Sequence, residues 1–96
     1  MNILVTYDVN TETKAGRRRL AKVAQTCKNF GQRVQFSVFE CRVDESQYED
    51  LCAKLKTIIN DQKDSLRVYR LHGDRNDYLD TFGLDHYQDF DDTLIV

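Results

Sequence analysis

The sequence predicts an α+β fold, in which two helices cover one face of an antiparallel sheet. Within the first 72 residues, strand and helix signals follow the order β-α-β(β)-α-β, which is that of a ferredoxin-like sandwich. A chain of 96 residues without proline or internal repeats is also the size of one domain. We therefore expect a core over residues 1–72 and, within the same domain, an acidic C-terminal extension over residues 73–96.

The first half of the chain predicts a strand followed by a helix. Residues 2–8 are β-branched and aromatic and too few for a helix, which is typical of a buried strand. Residues 10–13 supply turn and N-cap groups, so a helix is expected over residues 14–29 with Gly31 as its C-cap. Apolar residues recur on one face of that helix: Leu20, Val23, Ala24 and Cys27.

The second half predicts two further strand segments and a second helix. Residues 33–43 are extended but long for one strand, so a bend or a tight hairpin is expected near Ser37. Asp44 and Gln47 form a capping-box pattern for a helix that ends near Asn60, and residues 65–71 form the next strand. Three aromatic residues are expected in the core: Tyr7, Phe36 and Phe39.

The charge is distributed unevenly along the chain. The net charge of −2 combines about +4 over residues 1–72 with about −6 over residues 73–96. The acidic extension either keeps the protein in solution or docks on a basic partner surface. Its last residues, 93–96, predict an extra short strand that pairs with a sheet edge of its own chain or of a partner.

Composition also excludes some classes of protein. No apolar run approaches the roughly 20 residues that span a bilayer, and the first residues lack a basic leader, so we expect a cytoplasmic protein without membrane contact. The three cysteines are widely spaced, which favours reduced and mostly buried thiols. His72 and His86 lack the spacing of a metal pair.

Asp8 is the first candidate functional residue, because it ends a strand at the rim of the predicted sheet. It either caps the turn at residues 10–13 or binds a metal. Mg²⁺ usually takes one or two carboxylates together with water and substrate oxygens, so two Asp8 side chains across a dimer axis would suit it. Strands with apolar residues on both faces also favour a second copy as the cover, and hence a symmetric homodimer.

A basic cluster at the start of the first helix is the second candidate. Cations are unfavourable at a helix N-terminus, which suggests a phosphate-binding patch, although a solvated basic face is the alternative. The cluster is Arg17, Arg18, Arg19 and Lys22, and Lys14 and Arg33 extend it.

Several segments together resemble the "Cas-two" family of small CRISPR-associated endonucleases of the adaptation machinery, and the C-terminal tail is similar to its subtype I-C branch. They are the strand ending in Tyr7-Asp8, the helix with Arg17-x-Arg19-Leu20, the run Arg33-Val34-Gln35-x-Ser37-Val38-Phe39-Glu40, and Asp64-Ser65-x-Arg67-Val68-Tyr69-Arg70-Leu71.

The resemblance implies a ferredoxin-like homodimer in which two Asp8 residues share Mg²⁺ or Mn²⁺ for hydrolysis of phosphodiesters in DNA or RNA. It also implies a complex with the CRISPR integrase that holds double-stranded spacer DNA. Residues that match positions linked to the activity are Tyr7, Arg17, Arg19, Arg33 and Phe39. Two alternatives remain open: a DNA-binding scaffold without catalysis, and a related toxin-type ribonuclease.

Overall fold

The structure, a computed structural model, describes residues 1–88. The elements in chain order are β1 (Asn2–Asp8), α1 (Lys14–Lys28), β2 (Gly31–Gln35), β3 (Val38–Arg42), α2 (Glu45–Ile58), β4 (Ser65–Leu71) and α3 (Arg75–Tyr78). The four strands form one antiparallel sheet in the order β2-β3-β1-β4. This confirms the predicted α+β sandwich, whereas the predicted extra strand at residues 93–96 lies outside the described residues.

The side chains of the central strand β1 point alternately to the two faces of the sheet. Ile3, Val5 and Tyr7 are buried in the core, which packs against α1 and α2. Leu4, Thr6 and Asp8 alternate with them and therefore lie on the opposite face, which we call the open face. Asp8 lies at the end of β1 on this open face and is exposed to solvent.

The β2–β3 connection confirms the hairpin expected near Ser37. Gln35 pairs directly with Val38, so Phe36 and Ser37 form the turn, and the register shifts between Arg33 and Gln35. The turn also contacts β1, because the Tyr7 N–H donates to the Ser37 carbonyl at 3.1 Å. The core assignment of Phe36 was wrong: its side chain is 93% exposed, because it lies in the turn rather than over the sheet.

The two long helices begin at the predicted caps. Thr13 accepts the Gly16 N–H at the start of α1. At the start of α2, Asp44 and Gln47 form the expected capping box, with hydrogen bonds of 2.7 and 2.9 Å. Gly31 is not the C-cap of α1, however, because Asn29 takes that position and Gly31 is the first residue of β2.

Two glycines are required by close backbone packing. A Cβ on Gly31 would overlap the Glu40 carbonyl and the Cys41 Sγ, so β2 can lie this close to β3 only without a side chain there. A Cβ on Gly16 would overlap the Asn10 carbonyl. The loop that follows Asp8 therefore packs directly on the first turn of α1.

The chain after β4 returns over the β2–β3 side of the sheet. Arg75 binds the Glu40 carboxylate through Nε and Nη2 at 2.7 and 3.0 Å, and its guanidinium lies 3.8 Å from the Tyr87 ring centroid. The Gln88 backbone and the Gln32 side chain exchange two hydrogen bonds. The first part of the acidic extension is thus attached to its own sheet.

The three cysteines form no disulfide with one another, and Cys27 and Cys41 are buried, which confirms the expected burial of most of the thiols. Burial raises the pKa of Cys27 to about 11 and that of Cys41 to about 12, so neither is a reactive thiolate near neutral pH. Between residues 1 and 88, no helix has the length and apolar character needed to cross a membrane.

Candidate metal site and nucleic-acid interface

The Asp8 carboxylate is exposed at the rim of the open face. Its strand partner is Ser65 of β4, and within residues 1–88 no group forms a hydrogen bond or an ion pair with the Asp8 side chain. The turn that Asp8 was alternatively expected to cap is instead held by Asn10, which accepts the Glu12 N–H at 2.9 Å, and by Thr13. Asp8 is therefore available to a ligand from outside the chain.

The chemistry of Asp8 suits a hard divalent cation, but one chain supplies only part of such a site. Carboxylate oxygen is the ligand type that Mg²⁺ prefers. In the described part of the chain, no group of three or more His, Cys, Asp and Glu side chains could hold a metal ion. The donor set therefore fits Mg²⁺ or Mn²⁺ only when another molecule, such as a second copy with its own Asp8, completes it.

Tyr7, Arg33 and Phe39 lie together, but across the sheet from the Asp8 carboxylate. The Tyr7 and Phe39 rings are buried and stack with centroids 6.3 Å apart, and the Arg33 guanidinium lies 5.3 Å from the Phe39 centroid. Burial raises the pKa of Tyr7, and the nearby Arg33 partly offsets this. Tyr7 and Phe39 thus support the end of β1 from the core, while Arg33 is exposed at the sheet edge.

The start of α1 carries an exposed set of cations, which we call the basic helix face: Lys14, Arg17, Arg18 and Lys22. The first turn of α1 contains no acidic residue. Arg17 donates to the Thr11 carbonyl at 3.2 Å, which holds it beside the helix start. Backbone N–H groups at a helix start and nearby guanidinium groups both attract anions, so this face can bind phosphates.

Arg19 differs from its neighbours because Asp64 already holds its guanidinium. The two side chains form two hydrogen bonds of 2.8 and 3.2 Å, and the Asp64 side chain is fully buried. Arg19 remains a predicted nucleic-acid contact, but two of its N–H donors are used within the chain.

Asp64 is a residue that sequence reasoning missed. Besides Arg19, it accepts the backbone N–H groups of Asn10 at 3.0 Å and Asn60 at 2.8 Å. The hydrogen bond from Arg19 and those from the two backbone groups lower the pKa of the Asp64 carboxyl to about 2. This one carboxylate therefore ties the loop after Asp8 to α1 and to the α2–β4 loop.

Two residues of β4 also share the face of Asp8 and were not predicted as site residues. Arg67 pairs with Thr6, and Tyr69 pairs with Leu4, so both side chains lie on the open face. Alternation along residues 65–71, aligned antiparallel to residues 2–8, is the signal that could have identified them.

Comparison with known proteins places the chain in a family. The family model "CRISPR associated protein Cas2" matches residues 1–77. "CRISPR-associated endoribonuclease Cas2 1" of Moorella thermoacetica is 53% identical over 96 residues, covering 100% of both chains. "CRISPR-associated endonuclease Cas2" of Halalkalibacterium halodurans is 46% identical over 95 residues, covering 99% of each.

Solved structures agree with this result. The crystal structure of Streptococcus pyogenes Cas2 at pH 6.5 is 49% identical and superimposes with a TM-score of 0.78, covering 86% of this chain and 100% of that one. Both the fold and these matches confirm the predicted family, so the chain belongs to the Cas2 family of CRISPR-associated proteins. The subtype I-C assignment stays a prediction.

Proposed function

We propose that this protein is a metal-dependent, nucleic-acid-binding phosphodiesterase that acts as a homodimer in CRISPR adaptation. The observation that carries the proposal is the exposed Asp8 carboxylate, which has no partner within residues 1–88 and lies on the sheet face opposite α1 and α2. Support comes from the relatives, which are named CRISPR-associated endoribonucleases or endonucleases.

In the proposed dimer, the open faces of two copies meet and two Asp8 side chains hold Mg²⁺ or Mn²⁺. Tyr69 on this face is 43% exposed, and Leu4 and Val38 are only partly buried, so a second sheet would remove apolar surface from water. A metal ion bound at such a site would lower the pKa of a bound water and polarise the scissile phosphate. The protein itself places the two carboxylates and the phosphate-binding cations.

The basic helix face is proposed to grip the nucleic-acid backbone, with double-stranded DNA as the main ligand and RNA as a second one. Contacts to phosphates carry no base information, so this surface binds either nucleic acid by charge. The acidic extension would repel a phosphate backbone within a Debye length of roughly 8 Å. We therefore assign residues 89–96 of that extension to a protein partner, proposed to be the CRISPR integrase.

Neutralising two arginines of the basic helix face should weaken nucleic-acid binding and its dependence on salt. Each phosphate contact contributes about 0.9 to the slope of log affinity against log salt concentration, so Arg17→Gln/Arg18→Gln should reduce that slope by about 2. Fluorescence anisotropy with short DNA and RNA duplexes in EDTA measures the slope without cleavage.

Lys54→Gln/Lys56→Gln is the matched control, because it removes the same charge from exposed positions of α2. It should leave most of the slope in place. If the two double variants reduce the slope equally, binding depends on overall charge and the assignment of the basic helix face is wrong.

A scaffold without catalysis is the second candidate function. It is favoured by the single exposed carboxylate at the site and by the lack of any metal-binding cluster within the described residues. In that case Asp8→Asn would leave duplex binding and spacer acquisition intact, whereas the Arg17→Gln/Arg18→Gln variant would weaken both.

A further inference from the structure

A polar strip runs along β4 beside Asp8 on the open face. The antiparallel register places Ser65 opposite Asp8 and Arg67 opposite Thr6, and both β4 residues are exposed. Arg67 is thus the diagonal neighbour of Asp8 across the two strands, a relation that separates Cα atoms by about 7–8 Å. A long guanidinium side chain can span such a distance to a ligand held at Asp8.

The Arg67 side chain has a defined orientation. Its Nη1 donates to the Tyr69 hydroxyl at 3.1 Å, two residues further along the same face. Within residues 1–88 the Arg67 guanidinium forms this one hydrogen bond, so its other N–H groups remain available. An arginine in this state can bind the two oxygens of a phosphate in a forked arrangement.

Four other arginines of the described chain are less suitable for a phosphate at Asp8. Arg75 is bound to Glu40, and Arg42 pairs with Asn2 at the opposite end of β1. Arg19 is held by Asp64, and Arg33 lies beside Phe39 on the other side of the sheet. Of the two strand arginines on the open face within the described residues, Arg42 and Arg67, Arg67 therefore has the register position closer to Asp8.

We propose that Arg67 binds the phosphodiester at the Asp8 site, contacting non-bridging phosphate oxygens, and that Tyr69 is a positioning residue that orients Arg67. The inference deepens the proposed function and rests on it. It adds a cation on the same face as the Asp8 carboxylate, where developing negative charge on a phosphate would need stabilisation.

Arg67→Gln is the central variant of the test, and Arg70→Gln is its matched control. Arg70 lies on the same strand and also donates to a tyrosine hydroxyl, that of Tyr48 at 3.1 and 3.3 Å, but it pairs with Ile3 on the helix side of the sheet. Arg67→Gln should reduce the salt slope of duplex binding in EDTA by about 0.9. It should also lower kcat/KM for Mg²⁺-dependent cleavage by about 10- to 100-fold, while Arg70→Gln changes neither.

Two further variants separate charge from orientation. Arg67→Lys keeps the charge and should restore the salt slope, but only part of the cleavage rate, because an ammonium group cannot form the forked contact. Tyr69→Phe should keep the slope and lower kcat several-fold. Light scattering on each variant checks that it remains the same oligomer as the wild type.

Several outcomes would overturn the proposal. Arg67→Gln could bind and cleave as Arg70→Gln does, or it could dissociate into monomers, which would assign Arg67 to the subunit interface. In either case a wild type that binds duplexes and cleaves them with Mg²⁺ leaves the proposed function standing. A wild-type protein that binds neither DNA nor RNA would overturn the proposed function itself.

Discussion

Asp8→Asn is expected to reduce Mg²⁺-dependent cleavage of DNA and RNA duplexes by about 10³-fold, because the amide is a weaker metal ligand and carries no charge. Duplex binding in EDTA should not decrease, since the variant removes a negative charge near the phosphates. Initial rates of cleavage at saturating substrate, with and without Mg²⁺, measure the effect.

Glu12→Gln is the control for Asp8→Asn, because Glu12 is an exposed acid in the loop directly after Asp8. Its variant should cleave as the wild type does. If Asp8→Asn retains the wild-type rate, the metal site is not formed by Asp8 and the scaffold function becomes the better account.

Asp64→Asn is expected to have the largest effect on stability. It removes a fully buried carboxylate that accepts from Arg19 and from two backbone N–H groups, so those donors lose a charged partner. We expect the free energy of unfolding to fall by about 2 kcal/mol, which corresponds to a fall in Tm of roughly 8–16 °C for a domain of this size. Thermal and urea unfolding measure both quantities.

The same carboxylate predicts how stability depends on pH. The pKa of Asp64 is lowered to about 2 in the folded protein, compared with about 3.9 for an unfolded chain. Its contribution is therefore fully present above about pH 4 and is lost as the pH falls towards about 2. The stability difference between wild type and Asp64→Asn should shrink over that interval.

Asp50→Asn provides the comparison, because Asp50 forms an exposed ion pair with Lys54 at 3.0 Å on α2. Such surface pairs contribute about 0–1 kcal/mol, so this variant should resemble the wild type at every pH. If the difference in unfolding free energy between the wild type and Asp64→Asn does not change with pH, Asp64 does not stabilise the fold through its charge.

The sequence was sufficient to predict the elements because each has a local signal. The periodicity of α1, the capping box at Asp44 and the strand ending at Asp8 all depend on neighbouring residues. Phe36 was misassigned because hydrophobicity alone does not distinguish a turn position from a core position. Gly31 was misassigned because a glycine can mark a close contact between strands as well as a helix cap.

The site was harder to predict, because it depends on distant pairings. Arg19 belongs to the same sequence cluster as Arg17 and Arg18, but its partner Asp64 lies 45 residues away. Similarly, Arg67 joins the face of Asp8 only through the register of β4 against β1. Local patterns were enough to identify Asp8 and the basic helix face. Asp64 and Arg67 could not be found in this way, because they reach these residues only through pairings between distant parts of the chain.

Binding of Mn²⁺ at equilibrium tests most directly whether two chains build one metal site with their Asp8 residues. Titration followed by electron paramagnetic resonance, at protein concentrations where light scattering shows the dimer, gives the number of ions per chain. We predict one Mn²⁺ for every two chains in the wild type, and no binding at that site in Asp8→Asn. Equal binding by the two proteins, or one ion per chain, would contradict a shared site at Asp8.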